Sequence, residues 1–231
     1  MTTTYASFIK YLREERDISQ SVVAERCLMS RTTYTAVEKG TKELTLAEAE
    51  ALTKLFGISI DELLRTQAPD HAKYTQMILA FLRLAKDSHH AIKKTKLAKL
   101  LYLADFSWYY LHKKSLSGVM YRKIDFGPVA DVYFRLLEEM EQTGVITVQQ
   151  IYRDEYHMYE IEETRASAKQ TLTLIDTSEM QHLANIWKQW AGASTAEIVK
   201  FTHEQAPYLA SVTGELISYD LITTEDSYTI Y

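Results

Sequence analysis

Apolar residues recur at helical spacing along most of this chain. Phe8, Ile9 and Leu12 mark the inner face of a helix over residues 5–16. Val23, Ala24 and Cys27 mark a second helix after Ser19, whose hydroxyl can accept from an orphan N–H of the first turn. Ser30 is placed to cap a third, with Tyr34 and Val37 inward, and Leu28 and Met29 are expected to fill the turn before it. Gly40 stands where a helix end takes a left-handed residue. Thr45 and Glu48 form a capping box ahead of Leu46, Ala49, Leu52, Leu55 and Phe56, and Gly57 stops that helix. Ser59 and Glu62 form another, opening a short helix with Leu63 and Leu64 inward.

The stretch RTQAPDH, with Pro69, reads as a linker. Beyond it, Tyr74, Met77, Ile78, Phe81, Leu82 and Ala85 share one face of a helix over 71–87, which KDSHHAIKK ends. The next helix, over 95–112, carries Leu97, Leu100, Leu101, Ala104, Trp108 and Leu111 as a stripe and further apolar residues on its other faces. Such a helix is a central one. Pro128 suits the first position of a helix, where a missing N–H costs nothing. That helix is expected to bury Val129, Val132, Tyr133, Leu136, Leu137 and Met140 and to end at Gly144. VITVQQIY and EYHMYEIE, separated by Arg153-Asp154, predict a hairpin. Capping boxes at Asp176–Glu179 and Ser194–Glu197 open two more helices, and the tail ELISYDLI reads as extended.

Length and composition add bounds. A chain of 231 residues suggests two domains. Its one cysteine excludes a disulfide framework and a thiolate cluster, and Cys27 reads as a small buried hydrophobe. The start, MTTTYASF, lacks the basic and apolar regions of a signal peptide. The apolar run Met77–Leu82 is far too short to span a bilayer, so a cytoplasmic location is expected. Net charge is −5, and residues 1–66 hold nine cations against ten anions. Any binding of that part to a polyanion such as DNA must therefore rest on a local face, with weak and salt-sensitive monomer affinity, which would favour a homodimer on two half-sites.

Such a face exists on the third helix. Arg31, Thr32, Thr33, Thr35, Ala36 and Lys39 point outward, short polar groups and cations that can reach base edges in a major groove. Ser19-Gln20, Ala24, Ser30-Arg31, Tyr34-Thr35, Glu38-Lys39-Gly40, Leu44–Leu46 and the run LFGISIDELL resemble the Xre/Cro-type helix-turn-helix over about residues 6–66. The resemblance implies a five-helix bundle on double-stranded operator DNA. It implies that Gln20 touches a phosphate and that Arg31, Thr32 and Ala36 face bases. Ala36 stands where the family often has a longer polar residue.

KLAKLLYLADF, then Leu116-Ser117-Gly118, then Phe126-Gly127-Pro128-Val129 resemble the Panacea, or SocA-like antitoxin, domain, as do THEQAPYLAS and Glu215–Tyr219 downstream. The resemblance spans about residues 72–225. Ile124-Asp125 departs from the aromatic and basic pair usual before that Gly-Pro. The family implies an antitoxin that neutralises a cognate toxin protein, by blocking it or by handing it to a protease.

No histidine pair has zinc-type spacing with a carboxylate, no nucleophile motif is present, and no glycine-rich loop follows a strand; neither enzyme activity nor a metal or cofactor is expected. Asp105 sits on an apolar helix and must be paired if buried. One reading pairs it with the N–H groups at the opening of the Gly127-Pro128 helix, or with Arg122. The other makes Tyr102, Asp105, Tyr109 and His112 a polar-aromatic patch for a partner, since tyrosine suits interfaces.

The expected fold is mainly α: a helix-turn-helix bundle over 1–66, a linker over 67–71, and an α+β domain over 72–231, mostly helical with a small hairpin or sheet. The expected function is a DNA-binding antitoxin of a type II toxin–antitoxin system that represses its own operon. The alternatives are an Xre-family regulator, phage-related or otherwise, whose second domain senses a protein or ligand, and a protease adaptor.

Overall fold

The computed structural model describes residues 5–58, 60, 63, 68–153 and 156–231. The chain divides into two compact units, Met1–Pro69 and Asp70–Tyr231.

In the first unit, α1 (Ala6–Glu15), α2 (Gln20–Arg26), α3 (Arg31–Glu38) and α4 (Leu46–Phe56) follow the apolar stripes. Phe8, Ile9, Leu12, Val23, Tyr34, Val37, Leu52 and Phe56 are buried together, and Cys27 lies among them. The caps hold as drawn from the sequence. Ser19 accepts from the Val22 N–H at 3.3 Å, and Ser30 from the Thr33 N–H at 3.0 Å. Thr45 and Glu48 form the reciprocal box, and Gly57 ends α4 at φ +61°. Two apolar residues expected inside lie outside. Leu28 is 96% exposed because the left-handed turn after α2 (φ 54°) aims its side chain at solvent. Leu46 is 67% exposed, at the first position of α4, before the buried face begins at Ala49. The Ser59–Glu62 capping box and Leu64 lie outside the described residues, as do Arg65–Gln67 of the expected linker; Leu63 is buried.

The second unit begins where the rest of that linker was expected. Asp70 caps α5 (His71–Asp87) by accepting from the Lys73 N–H at 2.8 Å. After a two-residue strand β1 (Ile92–Lys93), α6 (Lys94–His112) runs through the middle of the unit, buried continuously from Lys96 to Ser107. One apolar cluster extends from Tyr74 to Ile222 around it. Leu111 is 54% exposed in its last turn, beyond the covering elements. Around α6 stand β2 (Tyr121–Ile124), β3 (Gly127–Ala130), α7 (Tyr133–Gln142), β4 (Ile146–Arg153) and β5 (Tyr156–Glu163). They are followed by α8 (Thr177–Trp190), α9 (Thr195–Glu204), α10 (Ala206–Ala210) and β6 (Leu216–Ile217). The strands make two antiparallel sheets, ordered β1-β5-β4 and β3-β2-β6. The expected hairpin is β4–β5, and the boxes at Asp176–Glu179 and Ser194–Glu197 cap α8 and α9.

Pro128 corrects the sequence reading. It lies on strand β3, opposite Lys123 of β2, and the helix opens only at Tyr133. Asp125 and Phe126 form the turn of the hairpin, and Gly127 leaves it at φ +92°. A missing N–H is tolerated on an edge strand as well as at a helix start, so the proline alone did not separate the two. The tail also differs: after β6 it coils into a 3-10 turn over Tyr219–Thr224. No described helix is long and apolar enough to cross a membrane.

Candidate functional site

Helix α3 turns two faces in opposite directions. Tyr34 and Val37 have no exposed surface, while Arg31, Thr32 and Lys39 are exposed and Thr33 and Thr35 half-buried. The outward side chains are not equally free to meet a ligand. Thr33 Oγ1 lies 2.8 Å from Ser30 Oγ, and the Thr35 hydroxyl donates to Gln20 Oε1 at 3.2 Å. Arg31, Thr32 and Lys39 are the groups this helix offers outward.

Behind α3 lies a centre that motif reading registered without giving it a role. The Glu38 carboxylate is almost completely buried and receives donors from three elements. Arg13 of α1 donates through Nε to Oε1 at 2.5 Å, and Tyr34 donates to the same oxygen at 2.6 Å. Gln20 of α2 donates through Nε2 to Oε2 at 2.8 Å. Burial pushes the Glu38 carboxyl upward, but the bonds from Arg13, Tyr34 and Gln20 together outweigh it and hold it below the ordinary range. Burial, then the bond to Glu38, raises the Tyr34 hydroxyl far above its own. The carboxylate therefore fixes α3 against α1 and α2. Gln20 has a structural task, yet its amide has a second N–H and it is the first residue of α2, where helix-opening N–H groups suit a phosphate.

The second candidate group does not assemble as a patch. Tyr102 and Asp105 have no exposed surface. Asp105 accepts from the Ser117 N–H at 2.8 Å, the Ser117 hydroxyl at 2.6 Å and the Tyr121 hydroxyl at 2.9 Å. Burial raises its carboxyl to about 6, against the pull of those bonds. Neither expected partner touches it: Gly127 starts a strand, and Arg122 pairs in fork geometry with Asp131, both contacts 2.9 Å. Tyr109 donates to Asp220 at 2.7 Å, and exposed His112 lies against Trp108 with ring centroids 4.0 Å apart. Asp105 is thus the anchor of the Ser115–Tyr121 segment, and Tyr102 is core.

A different surface of this unit is open. Where α6 begins, a cavity of about 290 Å³ lies between β2–β3, α7 and β5. Phe126, Phe134 and Tyr159 on its walls are 74%, 51% and 42% exposed. Lys94 Nζ stands 5.0 Å from the Phe134 ring centre and 5.8 Å from that of Tyr159. At its floor Lys99 donates to the Pro128 carbonyl at 2.8 Å, and burial lowers its ammonium to about 7. Sequence reading missed this site because its walls come from four separated segments. Among the described residues no three His, Cys, Asp or Glu side chains gather as metal ligands.

Residues 9–63 match the helix-turn-helix family profile, and residues 97–208 match that of the antitoxin SocA-like, Panacea domain. Over 59 residues the chain is 42% identical to the cryptic phage CTXphi transcriptional repressor RstR of Vibrio cholerae. That stretch is 26% of this chain and covers about half, 53%, of the repressor. No solved structure matches.

Proposed function

We propose that this chain, which carries a helix-turn-helix domain followed by an antitoxin SocA-like Panacea domain, is a DNA-binding antitoxin that represses its own operon. The observation that carries the proposal is the order of the two domains in one chain, with Arg31 and Thr32 exposed at the N-terminal end of a capped helix. In this reading Arg31, Thr32 and Lys39 meet operator DNA, Thr33 and Thr35 shape the helix surface, and Gln20 meets a phosphate. The near-neutral first unit calls for two copies on one operator, so the active species is a homodimer. The second unit binds and neutralises a toxin protein encoded beside it. The experiment is a mobility shift on the DNA upstream of the gene, paired with co-purification of the neighbouring gene product. Both bind if the reading holds.

The likeness to a phage repressor favours a second reading, a regulator whose second unit senses a protein or ligand. A neighbouring product that is not toxic when expressed alone selects it.

A further inference from the structure

The open side of strand β5 meets the aromatic cavity. On one side β5 pairs with β4 along its whole length, from Tyr156 to Glu163. On the other, β1 covers only Glu160 and Ile161, because the chain leaves the sheet at Lys94 to begin α6. Among the described residues no strand lies beside Tyr156–Tyr159 on that side. Alternate N–H and C=O groups of this stretch therefore face outward, the feature that lets a sheet edge accept another strand. The successive residues His157, Met158 and Tyr159 all line the cavity. Their side chains alternate between the two faces of the sheet, so the cavity meets the strand at its edge.

Charge states what fits. The chain carries a net −5, yet Lys93 and Lys94 line the cavity and no aspartate or glutamate does; Lys99, also in the lining, is buried and spent on the Pro128 carbonyl. Lys93 and Lys94 make no ion pair among the described residues. Below them the walls are Phe126, Phe134, Val129 and Ile124, with two large rings left exposed. We infer that this edge and cavity are a docking site for an extended, acidic and aromatic segment of a partner protein, which adds a strand beside Tyr156–Tyr159 of β5. Its aromatic side chains enter between Phe126 and Phe134, and its carboxylates meet Lys93 and Lys94. In a strand these two sets of side chains alternate, so one short segment satisfies both. The inference rests on the proposed function in one respect: the natural owner of the segment is the neutralised partner.

The test uses the full chain and a fluorescent peptide of about ten residues that alternates phenylalanine with glutamate and aspartate. Its controls are the same peptide with lysine for the acids, and one with alternate backbone amides methylated. Fluorescence anisotropy should show the acidic peptide binding at least about tenfold tighter than either control. Lys94→Glu and, separately, Phe134→Ser should each weaken it by about tenfold. Lys94→Glu puts an acid at the start of α6, where a helix tolerates it well, so its fold survives and melting confirms this. Equal binding of all three peptides, no binding of any, or indifference to Lys94→Glu would overturn the inference. The neighbouring product separates this from the wider reading. If it binds wild type and Lys94→Glu equally well, the docking site is wrong and the antitoxin stands. If it binds neither while the peptide behaves as expected, the site stands and the antitoxin reading falls.

Discussion

Tyr34 and Glu38 lie one turn apart on the same helix, and the tyrosine hydroxyl donates to the carboxylate at 2.6 Å with both side chains buried. That pair would be costly alone, since an unpaired carboxylate in an apolar setting is strongly disfavoured. Arg13 and Gln20 supply the remaining donors from α1 and α2. The outward face of α3 is therefore positioned by a charge that faces away from it.

Glu38→Gln should destabilise the first unit by about 3 kcal/mol, because it removes the buried anion of the Arg13 guanidinium and leaves it only the exposed Glu14 carboxylate at 3.2 Å. The sign with pH follows from the lowered Glu38 carboxyl. Its contribution is present above the ordinary glutamate range and is lost as pH falls through the lower folded value. Denaturant titrations of wild type and variant should converge at acid pH and separate near neutrality.

Arg31→Ala combined with Thr32→Ala should abolish specific operator binding and leave the melting temperature within about 2 °C of wild type, since both side chains are exposed. A mobility shift indistinguishable from wild type would remove α3 from the role of recognition helix.

A segment ending at residue 66 should fold and yet bind operator weakly, with a steep loss in salt. Its charge is near zero and one half-site gives little affinity. Tight, salt-insensitive binding by this segment would defeat the argument for a homodimer.

Asp105 gives the opposite pH sign. Its folded carboxyl is raised to about 6 from an ordinary 3.8, so ionisation opposes folding above pH 6, and that cost disappears as pH falls toward 4. Asp105→Asn should gain stability relative to wild type on going from pH 4 to pH 7.5, by up to about 3 kcal/mol. Asp105→Ala strands the Ser117 and Tyr121 donors and should cost about 2 kcal/mol or more at either pH. Urea titrations at the two pH values check both.

Gly127→Ala should destabilise the second unit. The residue sits at φ +92°, and an added Cβ would lie 2.7 Å from Lys99 Cε and 2.9 Å from His203 Nε2. A cost of about 1–3 kcal/mol in denaturant titration is expected.

Most helices were legible because their signals are local. The caps at Ser19, Ser30, Thr45, Asp176 and Ser194 lie within three residues of the N–H groups they satisfy. What failed was non-local or ambiguous. Helical spacing does not say where the covering element stops, so Leu46 and Leu111 came out exposed, and the left-handed turn that aims Leu28 at solvent leaves no periodic signal. Pro128 fits two kinds of element equally well. The partners of Asp105 lie 12 and 16 positions downstream, and the Arg13–Glu38 pair spans 25, beyond any periodicity argument. The two-residue strands β1 and β6 exist only because longer neighbours pair with them.

The central claim is that one chain joins operator recognition in its first unit to toxin neutralisation in its second. The most direct measurement is the growth of cells that express the neighbouring gene product together with residues 70–231 alone, followed by purification of the segment. The account predicts that growth is restored and the two proteins purify together without the DNA-binding helix. A segment that is folded by circular dichroism but neither restores growth nor retains the product would contradict it.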